Sequence, residues 1–174
     1  QVRARKAMLD ATERLAAATR VFSALSSMAA FTMAEKVLVY HSLPDELSTR
    51  EFLDQWEGRK QFFLPRVNGI DLEILPYSRT RTHLGAFRIE EPDGDDVADI
   101  ADMDLIVVPA VAYDRSGNRV GRGKGYYDRL LSRAKALTVG VCYDFQLFDE
   151  DEIEAEEHDI PVNFIIADGH EVIR

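Results

Sequence analysis

The sequence predicts a single α/β domain, Rossmann-like, with a largely parallel but mixed sheet and helices on both faces. Two observations predict it. Short, almost wholly apolar runs recur at residues 36–41, 61–65, 105–109, 138–143 and 164–166. Strands of that kind are buried on both faces, as in parallel sheets. Between them lie stretches of helical period, and β–α alternation of this sort builds a layered α/β fold. The 174 residues suit one domain, 1–174, with no internal repeat or low-complexity linker.

The elements follow in order. Residues 1–28 read as one long amphipathic helix, with Met8, Leu15 and Phe22 every seven positions and Thr12, Thr19 and Leu25 filling the stripe. The strand at 36–41 comes next. Ser48 and Glu51 form a capping-box pattern at the start of a helix carrying Phe52, Leu53 and Trp56. Residues 61–65 and 72–76 read as strands in a hairpin-like relation through Asn68-Gly69. Residues 77–104 are less regular and hold Arg79, Arg81, His83 and Arg88. The apolar run 105–109 leads to a glycine-rich loop at 117–125 and a helix over 126–134. The strands at 138–143 and 164–166 complete the sheet.

Charge and composition narrow the function. With 31 acidic and 21 basic side chains the net charge is −10. General nucleic-acid and anionic-membrane binders need a basic footprint, so both are excluded as classes. Cys142 is the sole cysteine, which rules out an intrachain disulfide and a Cys-based zinc site. It sits in an apolar run and reads as a buried strand residue. The histidines show no metal-binding spacing. No apolar run reaches the roughly 18 residues of a membrane span. A cytoplasmic, monomeric enzyme acting on small molecules is the expectation.

The sharpest local feature is the loop Gly117-Asn118-Arg119-Val120-Gly121-Arg122-Gly123-Lys124-Gly125-Tyr126-Tyr127-Asp128. Alternating Gly121, Gly123 and Gly125 let the backbone approach a ligand closely. Arg119, Arg122 and Lys124 bring three cations to six positions. A helix begins directly after, with its free amides and positive dipole end facing the loop. These are the parts of a polyphosphate cradle. The spacing fits neither a P-loop nor GxGxxG. Asp128 lies one helical turn beyond Lys124, where it can hold a magnesium ion that accompanies the phosphates.

This loop resembles the signature of the 5-formyltetrahydrofolate cyclo-ligase family, also called 5,10-methenyltetrahydrofolate synthetases. The resemblance extends to the first helix, Asp45-Glu46, Phe63-Leu64-Pro65-Arg66, the run 104–109 and His158-Asp159-Ile160-Pro161. It implies a reaction in which ATP and 5-formyltetrahydrofolate give 5,10-methenyltetrahydrofolate, ADP and phosphate, with magnesium. It also implies roles. Arg119, Val120, Gly121, Arg122, Gly123, Lys124, Gly125, Tyr126 and Tyr127 would line ATP. The stretch from Arg122 to Tyr126 would also face the folate, with Arg122, Lys124 and Tyr126 at the point of transfer. Glu46 would contact the pterin, and His41 matches another substrate position. Tyr126 would hydrogen-bond the formyl group or stack on a ring.

Asp128 and Asn163 would be the metal ligands, Asn163 standing where the family often has an aspartate, with Asp159 nearby. The family's N-terminal Lys-x-x-x-Arg motif aligns ahead of Gln1, and Arg3, Arg5 and Lys6 have a different spacing. Arg79, Arg81 and Arg88 are candidates for steering an anionic tail, with a solvated basic loop as the alternative. Two other readings stand beside the ligase: a sugar-phosphate isomerase or CoA-transferase-like enzyme on a related scaffold, and a non-catalytic nucleotide- or folate-binding protein. The acids are concentrated at 144–159, which holds nine of them and no Lys or Arg. That segment reads as a solvated face with no part in the site.

Overall fold

The computed structural model describes residues 1–80, 82–84 and 90–174, with the side chains of Leu84 and Glu90 left aside. Five strands and an antiparallel edge make the central sheet. These are β1 (Lys36–Leu38), β2 (Gln61–Asn68), β3 (Asp71–Pro76), β6 (Leu105–Val108), β9 (Leu137–Cys142) and β11 (Phe164–Ala167). Their order is β11-β9-β6-β1-β2-β3, all parallel except β3, which pairs antiparallel with β2. The hairpin predicted at Asn68-Gly69 is present, closing at the Asn68–Asp71 pair. Smaller strands flank the sheet: β4 (Thr82–Leu84) with β5 (Glu90–Pro92), and β7 (Ala112–Asp114) between β8 (Arg119–Val120) and β10 (Leu147–Phe148).

Side-chain alternation splits the core in two. Val37, Val39, Phe62, Leu64, Val107 and Val141 face one side, against α2 (Ala11–Ser26), α3 (Ala29–Met33) and α4 (Arg50–Trp56). Phe22 stacks on Phe52 at 4.8 Å, and Phe31 packs edge-on to Trp56 at 5.1 Å. Each fully buried side chain of this kind contributes roughly 1.5–3 kcal/mol. The Lys60 ammonium donates to the carbonyls of Phe31, Thr32 and Ala34, closing the C-terminal end of α3. Leu38, Phe63, Ile106, Val108, Cys142 and Ile165 face the other side, against α5 (Tyr126–Leu131) and Tyr113 of β7. Cys142 is buried as expected, and burial pushes its thiol pKa up, away from reactivity.

The first helix departs from expectation. α1 (Val2–Ala7) ends at Met8, and a second helix starts at Asp10. Asp10 accepts the Glu13 N–H while Glu13 accepts the Asp10 N–H, a reciprocal cap that restarts the helix. The heptad stripe therefore does not form: Met8 and Leu15 are 78% and 50% exposed. The buried face is Ala17, Ala18, Val21, Phe22 and Leu25, whose alanines let the helix lie close. The box expected at Ser48 and Glu51 is also altered. Thr49 is the N-cap, its hydroxyl donates to the Tyr40 carbonyl, and Ser48 reaches the Glu51 carboxylate instead.

Candidate active site

Ligands in open α/β sheets gather beyond the carboxyl ends of the strands, and here the segments after β1 and β6 wall a cleft of about 750 Å³. His41, Leu43 and Glu46 come from the loop after β1, and Pro109 and Ala110 from the end of β6. Every residue from Arg119 to Asp128 lines it. Thus the structure brings together His41, Glu46 and the whole glycine loop. The segment after β9 buttresses the cleft without lining it. Gln146 donates to the carbonyls of Ala110 and Val111, and Asp144 pairs with His170.

Local hydrogen bonds fix the loop at 41–49. Tyr40 donates to the Leu47 carbonyl, and Glu46 accepts the Leu43 N–H at 2.9 Å. Burial raises the Glu46 carboxyl above its ordinary range, although the Leu43 N–H and Arg122 oppose the shift. Its neighbour Asp45 moves the other way. Burial would raise it, but Lys6 and Arg122 outweigh that and lower it. Lys6 itself is buried and lies 3.6 Å from Asp45.

The glycine loop is rooted by Asp114, which is fully buried and accepts from the backbone of Ser116, Asn118 and Ile153 and from the Asn118 amide. Gly123 and Gly125 take left-handed φ of 90° and 70°, the second as N-cap of α5; Gly121 does not. The three cations differ in setting. The Arg119 side chain is only 6% exposed, lies over the Tyr127 ring and bonds Asp128 at 3.3 Å. Arg122 reaches Asp45 at 3.2 Å and Glu46 at 3.6 Å. Lys124 is exposed at the rim, its ammonium without a hydrogen bond or ion pair among the described residues.

Two sequence readings need correction. The acidic segment is part of the site, because Ile153, Glu154, Glu156, His158 and Asp159 form a wall of the cleft. Sequence proximity gave no sign of this; the Asp114 bond to the Ile153 N–H is what brings the segment over. The pairing of Asn163 with Asp128 is not seen. Asn163 precedes β11 at the edge where the parallel strands begin, and its amide oxygen accepts from the N–H and hydroxyl of Thr138 at 2.9 and 3.1 Å. It is not among the residues lining the cleft. Asp159 is, and the Ile160 N–H beside it donates to Asp128 at 3.3 Å. Of the arginines at 79–88, Arg79 is paired with Asp54 and Glu57. Arg81 and Arg88 lie outside the described residues.

Among the described residues no group of three or more His, Cys, Asp or Glu side chains could hold a metal alone. A magnesium ion carried by a nucleotide needs less: one or two carboxylates, with phosphate oxygens and water completing the shell. Asp128 and Asp159 fit that requirement. No helix among the described residues is long and apolar enough to cross a membrane.

Cations on one wall, carboxylates on two others and an apolar patch at Pro65, Val67 and Leu72 suit ligands with both anionic and flat apolar parts. The class so defined is an α/β enzyme for phosphate-bearing ligands. The model of the 5-formyltetrahydrofolate cyclo-ligase family matches residues 1–168, and the chain belongs to that family of ligases. The cyclo-ligase of Escherichia coli K12 is 32% identical over 145 residues, covering 78% of this chain and 79% of the relative. The mouse cyclo-ligase is 28% identical over 183 aligned positions, covering 95% and 89%. The structure of Aquifex aeolicus 5,10-methenyltetrahydrofolate synthetase superposes with a TM-score of 0.89 at 36% identity, over 99% of this chain and 88% of that one. A synthetase from Mycoplasma pneumoniae shares the fold, with a TM-score of 0.75 at 18% identity.

Proposed function

We propose that the protein cyclises 5-formyltetrahydrofolate to 5,10-methenyltetrahydrofolate with ATP and magnesium, releasing ADP and phosphate. The observation that carries this reading is the 3.6 Å approach of Arg122 to Glu46. It joins the basic loop, suited to phosphates, to a buried carboxylate suited to an amino-pyrimidine edge. One cleft can then hold both reactants, and a separate isomerase or transferase chemistry is not needed to explain it.

A formamide oxygen is a poor leaving group. Transfer of the γ-phosphoryl group of ATP to that oxygen releases ADP and produces an imidate-like phosphate, which N10 of the folate attacks, and phosphate then departs. The chain's task is to position two ligands and stabilise phosphoryl charge. Lys124 supplies positive charge at the rim, and Arg122 supplies it beside Glu46. Arg119 is held inside and braces Asp128. Glu46, ionised, accepts two hydrogen bonds from the pterin amino-pyrimidine edge, with His41 beside it in the same lining. Asp128 and Asp159 would hold the magnesium ion, which when bound neutralises charge on the nucleotide phosphates. The reading is of a monomeric, cytoplasmic enzyme. Its test is direct: the protein with 5-formyltetrahydrofolate, magnesium and ATP develops the methenyl-folate absorbance, and without ATP it does not. A folded protein that gives no ATP-dependent rise would defeat the proposal.

A further inference from the structure

The cyclisation also has to dispose of a proton, and the cleft contains a carboxylate suited to it. Glu91 of β5 is 8% exposed and lines the cleft. Its Oε2 accepts the Val67 N–H at 2.9 Å, which sets the carboxylate beside the apolar patch. Pro65 and Val67 alternate along β2 onto one side, and Leu72 is the cross-strand partner of Val67. An aryl ring would pack on such a patch, and N10 of a folate is bonded to its aryl ring.

Behind Glu91 a path leads outward. His83 is its cross-strand partner, with Nε2 at 3.8 Å from Glu91 Oε1. His83 Nδ1 lies 2.5 Å from Asp93 Oδ1. The imidazole and the Asp93 carboxylate are 47% and 48% exposed. In a neutral ring the Nδ1–H donates to Asp93, so Nε2 presents its lone pair towards Glu91. The other acids of the cleft are less well suited. Asp128 and Asp159 stand by the basic loop, Glu46 is engaged by Leu43 and Arg122, and Glu154 and Glu156 are exposed.

We propose that Glu91 accepts the N10 proton during ring closure and that His83 passes it to solvent; this rests on the folate reading above. The N10 lone pair forms the new bond to the phosphorylated formyl carbon, and the C=N5 electron pair returns to N5. The N10–H proton moves to Glu91. A nitrogen lone pair then re-forms the C=N bond as the C–O bond breaks and phosphate leaves. Glu91 gives its proton to His83 Nε2 once a small side-chain rotation closes the 3.8 Å gap to hydrogen-bonding distance, and is ready again.

The test compares the wild-type chain with Glu91→Gln, whose amide oxygen still accepts the Val67 N–H. Loss of a general base lowers kcat by about 100-fold or more, with KM for both substrates little changed. In a single turnover the variant forms ADP at the wild-type rate while methenyl product lags. A variant with kcat near wild type overturns the proposal, and so does one in which ADP formation slows in step with product. Should Glu91→Gln not fold, His83→Gln, at a half-exposed side chain, decides: a lower kcat at unchanged KM upholds the path, and an unchanged kcat overturns it. A wild-type chain without methenyl formation defeats the folate reading itself, and with it the role of Glu91. A competent wild type beside an unimpaired Glu91→Gln defeats only the latter.

Discussion

Arg122 Nη2 stands 3.6 Å from Glu46 Oε2, although 76 positions separate the two in sequence. Burial dominates the balance at this carboxyl and leaves it easier to protonate than a free glutamate. A carboxylic acid whose folded-state pKa is raised destabilises the fold once ionised. The cost therefore grows as pH rises from the ordinary value of 4.5 through the raised one. Glu46→Gln removes that cost and keeps an oxygen for the Leu43 N–H. The variant is expected to melt higher than wild type at neutral pH, with the difference closing at acid pH. Its KM for the folate should rise by roughly ten- to a hundredfold, the loss of a charge-assisted contact. Thermal melts across pH, with steady-state kinetics, check both parts. A variant no more stable at neutral pH would mean that Arg122 compensates the buried charge fully.

Lys124 is different, since its ammonium touches nothing among the described residues that stabilises the fold. Lys124→Ala should leave the melting temperature nearly unchanged and abolish measurable turnover. Retained full activity would show that the loop does not cradle phosphates through this residue.

The sheet was readable because its strands are apolar on both faces, as in Leu105-Ile106-Val107-Val108, and the glycine loop because its residues are local. The features that escaped are those set by distant partners. The helix break needs only Asp10 and Glu13, but the heptad spacing of Met8, Leu15 and Phe22 masked it. Asn163 looked like a ligand until Thr138 claimed its oxygen. Glu154, Glu156 and Asp159 join the cleft through a bond from Ile153 to Asp114, 39 positions away. Glu91 is an unremarkable acid in sequence, and only burial against Val67 distinguishes it.

Asp128 carries a prediction about the metal. Its Oδ1 takes bonds from Arg119 and the Ile160 N–H. Asp128→Asn keeps the size but loses the charge that a magnesium ion requires. The variant should need a much higher magnesium concentration for half-maximal rate, and its maximal rate should fall. A magnesium titration matching wild type would move the ion to other ligands.

The Asp10 cap is a matter of stability alone. Removing such a cap costs about 1 kcal/mol, which for a chain of this size lowers Tm by roughly 2–4 °C. Asp10→Ala should show that loss in a thermal melt with unchanged kinetics. An unshifted melt would mean that α1 and α2 merge into one helix without penalty.

Gly117 ties the root of the glycine loop to the segment that leads into the last strand. Its φ is 91°, and a Cβ there would lie 2.6 Å from the Val162 carbonyl oxygen. Its own carbonyl accepts the Val162 N–H at 3.0 Å. Gly117→Ala therefore meets both backbone strain and a backbone clash. Gly69, with φ of 66° and nothing within 4 Å of a Cβ, meets only the strain. Strain of this kind costs of order 1–3 kcal/mol, and the clash adds to it at Gly117 alone. Gly117→Ala should thus melt lower than Gly69→Ala. Because residues 158 and 159 line the cleft just ahead of this contact, it should also raise KM for ATP, which Gly69→Ala should not. Equal melting temperatures for the two variants would show that the backbone near Val162 yields without cost. That outcome would remove the link between this turn and the site.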